Sequence, residues 1–64
     1  MNTYQQAKWE QIRAAMMRHD IDGIAAVIAQ MRREGHAKEA KAFETAVLQG
    51  AADTLVAQLR RRLR

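Results

Sequence analysis

Sixty-four residues without cysteine allow one small domain and exclude disulfides and thiolate metal sites as its stabilisers. The formal charge is +4, but residues 1–59 hold as many acidic as basic side chains. The whole excess therefore belongs to Arg60, Arg61, Arg62 and Arg64, at one end of the chain.

No apolar run reaches the ~18 residues that a membrane span needs, and no signal-peptide core opens the chain. A cytoplasmic protein with no membrane span is expected. Proline is absent, strand-like alternation is absent, and Ala, Gln, Arg, Met and Glu dominate. These are good helix formers, so the expected fold class is all-α.

A first helix is expected over residues 4–19. Thr3 can cap it, and Gln6 three residues on completes a capping-box pattern. Trp9, Ile12 and Met16 fall at i, i+3 and i+7 and share one face. Met17 lies 100° from Met16 around a helix, so the two cannot both face one centre. Met17 and Trp9 are therefore the candidate protein-binding surface, since methionine makes adaptable contacts.

The segment HDIDG interrupts, and a second helix is expected over 22–34 with Asp20 or Asp22 as its cap. Ile21, Ile24, Ile28 and Met31 repeat at intervals of three, four and three, a narrow seam suited to packing against another helix. Gly35 stands where a left-handed residue ends a helix, and Arg32 and Arg33 before it complement the helix dipole. DIDG has the opening of a calcium loop, but the twelfth position is Met31 where the loop needs a bidentate glutamate. Helix capping is the reading that remains.

The third segment, 37–64, is expected as one long helix, continuous or mildly bent. A glycine inside a helix costs only about 1 kcal/mol relative to alanine, so Gly50 need not break it. The alternative is a break at Gly50, with Asp53 capping a fourth helix. Phe43, Val47, Ala51, Leu55, Leu59 and Leu63 advance by four, and each step drifts about 40° around the helix. Such a stripe touches different neighbours at its two ends.

The stretch REGHAKEAKAFETAVL resembles the second half of a tetratricopeptide repeat. Gly35 lies at the inter-helix turn, Ala40 is the small residue that follows, and Phe43 and Val47 lie beyond it. Ile28 occupies a position where that family has a small residue, Phe43 comes one place early, and the closing proline is missing. What the resemblance implies is an antiparallel helical hairpin.

Chemistry is poorly provided for. His19 and His36 do not have the spacing that sets two ligands on one helical face, so no metal and no cofactor are expected. There is no serine, no cysteine and no glycine-rich phosphate loop. Short helices of this bulk are not expected to enclose a small-molecule substrate, so no enzyme is expected.

On a helical wheel the tail arginines fill a broad arc, and Leu59 and Leu63 fill the gap, giving an amphipathic end turn. Its charges suit an acidic partner or phosphate, although no aromatic residue lies nearby to stack on bases. The expected architecture is a small antiparallel bundle of three helices. Its core is lean, with thirteen alanines among the hydrophobic residues, so homodimerisation is expected to complete it. Ile28, Leu48, Leu55 and Leu59 would line the shared surface. The expected function is that of a small non-enzymatic interaction or regulatory protein that binds another protein. The alternative is a nucleic-acid-binding accessory protein using Arg60, Arg61, Arg62 and Arg64.

Overall fold

The computed structural model describes residues 2–63, which form four helices and, among the described residues, no strand. In chain order they are α1 (Thr3–Met17), α2 (Ile21–Arg33), α3 (Ala37–Gly50) and α4 (Asp53–Arg62). The all-α class holds, and the count of three helices is corrected to four.

Asn2, not Thr3, caps α1. Its side-chain oxygen accepts from the Gln5 amide at 2.8 Å, and the Gln5 side chain accepts from the Asn2 amide at 3.2 Å. The sequence offers two overlapping capping boxes one residue apart. The structure takes the one headed by asparagine, which caps better than threonine.

α1 ends two residues earlier than expected. The His19 amide donates to the Met16 carbonyl at 3.0 Å and the Asp20 amide to Ala15 at 2.8 Å, with His19 at φ 54°. This is a Schellman closure with histidine in the left-handed position. Asp20 then opens α2, its Oδ1 accepting from the Gly23 amide at 2.9 Å. A Cβ at position 23 would stand 2.4 Å from Asp20 Oδ2, so a larger residue there would require the Asp20 carboxylate to shift.

α2 closes as its sequence indicates. Gly35 adopts φ +86°, its amide donates to Arg32 at 3.1 Å, and the His36 amide donates to Met31 at 2.9 Å.

The long third helix does not form. α3 stops at Gly50, Ala51 is extended (φ −96°, ψ 160°), and α4 restarts at Asp53 without any side-chain cap. Asp53 lies in the first turn of α4, where the helix dipole favours a negative charge, and is not its cap. The drift of the apolar stripe supplies the reason for the break. A two-residue break redirects the chain, and Leu55 and Leu59 of α4 are both buried.

α2 is the common partner of the other three helices. Its Ile24, Ile28 and Met31 are wholly buried among Ile12 and Ala15 of α1, Ala40, Phe43 and Val47 of α3, and Leu59 of α4. Each large apolar side chain so buried contributes about 1.5–3 kcal/mol. Tyr4 and Lys8, at the start of α1, reach Glu34 at the end of α2, so these two helices are antiparallel. Arg62 at the end of α4 meets Asp22 at the start of α2. The folded chain measures 30 × 22 × 18 Å.

This packing corrects the proposed shared surface. Ile28 and Leu59 have no exposed area and Leu55 only 9%, because the subunit's own helices cover them. Leu48 is half-buried against the same core.

Candidate functional site

The turn between α1 and α2, the first turn of α2 and the last turn of α4 meet at one end of the molecule. Two ion pairs mark the junction: Arg62 Nε to Asp22 Oδ1 at 2.9 Å, and Arg18 Nη2 to Asp20 Oδ2 at 3.7 Å. Of the tail arginines, Arg62 is thereby set against the first turn of α2.

A cleft of about 420 Å³ opens here, lined by Ile21, Gln58, Arg61 and Arg62. The α4 residues of this lining fall at i, i+3 and i+4, on one helical face. Leu55 and Leu59 on the adjoining face are buried and hold α4 against the core. Ile21 is half-buried and packs on that core, so the cleft has an apolar side as well as a cationic one. Arg61 makes no ion pair with any described residue, whereas Arg62 is partly neutralised by Asp22. Arg60 is exposed but does not line the cleft. Arg64 lies outside the described residues.

Met17 and Trp9 are not brought together. They are separated by ~12 Å along the helix axis at 1.5 Å per residue. Trp9 is half-buried, its ring meeting Phe43 edge-on at 5.3 Å between centroids. Met17 is 79% exposed, the one large hydrophobic side chain among the described residues that is left in solvent. It lies four residues before Ile21, beside the basic end.

At the opposite end a polar cluster joins the start of α1 to the turn between α2 and α3. The Tyr4 hydroxyl donates to Glu34 Oε1 at 2.5 Å, and the Gln30 amide donates to Glu34 Oε2 at 3.2 Å. Lys8, only 8% exposed, sets its ammonium 3.4 Å from Glu34 Oε1 and 5.6 Å from the Tyr4 ring centroid. The His36 ring stacks on Tyr4 at 3.9 Å and shares a hydrogen bond with Glu39 at 2.6 Å.

Burial, then the hydrogen bond to Glu34, pushes the Tyr4 phenol up to about 12. The same hydrogen bond holds Glu34 below the usual carboxylate range, against an opposing effect of burial. His36 does the same for Glu39 through its hydrogen bond. Every buried polar side-chain atom among the described residues has a partner. The cluster ties the start of α1 to the turn between α2 and α3.

Sequence reasoning missed this cluster. Tyr4 with Lys8 and His36 with Glu39 are visible as same-face pairs on their own helices. Their meeting depends on how α1 lies against the α2–α3 turn, which no local spacing specifies. Among the described residues no group of three or more His, Asp or Glu side chains could hold a metal ion. No helix is long and apolar enough to cross a membrane. No protein-family model, curated protein or solved structure matches this chain.

Proposed function

We propose that this is a small non-enzymatic interaction protein that regulates another protein by binding it through the basic end of the bundle. The observation that carries this reading is the exposure of Met17 at the same end of the molecule as the arginine-lined cleft. An apolar side chain 79% in solvent, on an end that also presents guanidiniums able to fork onto carboxylates, has the chemistry of a protein contact.

The acidic residues at the same end favour protein over nucleic acid. Asp20 and Asp22 lie among Arg18 and Arg62 and would repel a run of phosphates, whose attraction grows with the number of uncompensated cations. Self-association remains part of the proposal only through Met17 and Leu48, since Ile28, Leu55 and Leu59 are occupied within the subunit.

A photo-crosslinking residue at position 17 tests the reading, with the same residue at exposed Ala46 on α3 as the control. The expected result in a lysate of the producing cells is a discrete protein adduct from position 17 and none from position 46. Labelled DNA and RNA titrated at two salt concentrations test the alternative. Nucleic-acid binding that falls steeply with salt and vanishes when Arg60, Arg61, Arg62 and Arg64 become alanine, without a protein adduct at 17, would replace the proposal with the nucleic-acid reading.

A further inference from the structure

We infer that the cleft between the first turn of α2 and the last turn of α4 is a receptor for an acidic, apolar-flanked peptide segment of the partner protein. One partner carboxylate would be held by Arg61 and Gln58, and the neighbouring apolar side chain would lie on Ile21. The inference rests on the protein-binding reading above and gives it a site and a ligand chemistry.

Three observations carry it. The lining pairs hydrogen-bond donors with an apolar wall: Gln58, Arg61 and Arg62 on one side, Ile21 on the other. Charge balance then selects the ligand. Arg62 is bonded to Asp22 at 2.9 Å, which leaves Arg61 as the guanidinium of the lining that makes no ion pair with any described residue. One such guanidinium matches one carboxylate, and a bidentate fork gives that pairing its direction. A polyphosphate chain needs a track of cations and would meet Asp22 at the next step.

The third observation is rigidity. Leu59 anchors α4 in the core. The helix that carries the donors is therefore held in place, which lowers the ordering cost of binding. The volume of about 420 Å³ lies within the ~300–1,000 Å³ range of ligand pockets, enough for one or two side chains and not for a folded element.

The test uses the full chain, labelled with nitrogen-15 and methyl carbon-13. It is titrated with a short peptide carrying aspartates on either side of a leucine pair. Parallel titrations use the same peptide with Asp changed to Asn, the same peptide with Leu changed to Ser, and single-stranded and duplex DNA. The expected result is a shift of the Ile21 methyls, the Gln58 side-chain amide and the Arg61 Nε–H by the parent peptide. Each altered peptide should bind at least tenfold more weakly.

Arg61→Gln, at an exposed position outside the core, should weaken the parent peptide by a similar factor and leave the protein's methyl spectrum unchanged. Absence of shifts at Ile21, Gln58 and Arg61 with the parent peptide would overturn the cleft assignment. Tighter binding of DNA at the same residues would overturn the choice of ligand. A protein adduct at position 17 combined with a silent cleft would leave the interaction reading standing and remove only this site, whereas failure of both would remove both.

Discussion

Tyr4 is the only tyrosine in the chain, so its ionisation can be followed by ultraviolet absorbance. Its pKa, raised from 10.0 to about 12, means that folding favours the protonated phenol. The associated stability is fully present below 10.0 and is lost as pH rises from there through 12. Glu34→Gln should lower the absorbance midpoint yet leave it above 10.0, because burial is the larger cause. A midpoint at 10.0 in the folded protein would contradict the Tyr4–Glu34 geometry. Glu34 and Glu39 work in the other direction. Both are held below their ordinary value of 4.5, so they stabilise the fold above that pH and cease to as pH falls through their folded values. Acid titration monitored by circular dichroism should show Glu34→Gln flattening the fall in stability below 4.5.

Backbone conformation gives a second pair of residue-level expectations. His19 and Gly35 hold the same left-handed position at successive helix ends, at φ 54° and 86°. His19→Gly should raise stability by about 1 kcal/mol, because an L-residue pays a steric penalty of that order there. Gly35→Ala should lower stability by about 1–2 kcal/mol for the same reason, although a Cβ at position 35 would touch nothing within 4 Å. Urea melts of the two variants should therefore move in opposite directions.

The helices show where the sequence could be read and where it could not. The seam of α2 was legible because Ile24, Ile28 and Met31 repeat at helical intervals, and all three are wholly buried. Its two ends were legible from Asp20 and Gly35, whose chemistry is local. The break after Gly50 was legible only as the alternative to a continuous helix. Position 50 has an ordinary negative φ and open space around it, so the glycine does not compel the turn. The packing of Leu59 with Ile24, Ile28 and Met31 of α2 decides it, and that contact is tertiary. Gly50→Ala should therefore keep four helices and change stability by no more than about 1 kcal/mol. Leu59→Ala should cost about 2–5 kcal/mol as a cavity-forming core substitution. Denaturant melts compare the two directly, and a larger loss for Gly50→Ala would show that the glycine itself specifies the break.

At the scale of the whole molecule, the return of α4 changes what the sequence implied about assembly and function. A long helix overhanging its neighbours called for a second subunit; with the break after Gly50, α4 instead buries Leu59 in the core of its own chain. The candidate site was half legible for the same reason. Composition located the charge in Arg60, Arg61 and Arg62, but only the tertiary fold sets Arg61 and Arg62 beside Ile21 and Asp22. Arg60 is exposed and lies outside the lining of the cleft. The basic end is thus a built surface and not an extended arm, and the proposed receptor for an acidic segment depends on it.

That dependence has a direct test: isotope-filtered nuclear Overhauser spectroscopy on a mixture of labelled and unlabelled chains. The fold described predicts contacts from the Leu59 methyls to the side chains of Ile24 and Ile28 within one chain, with no corresponding signal between labelled and unlabelled molecules. If Leu59 met α2 only between chains, the long-helix dimer would be the true architecture and the cleft at the basic end would not exist within one subunit.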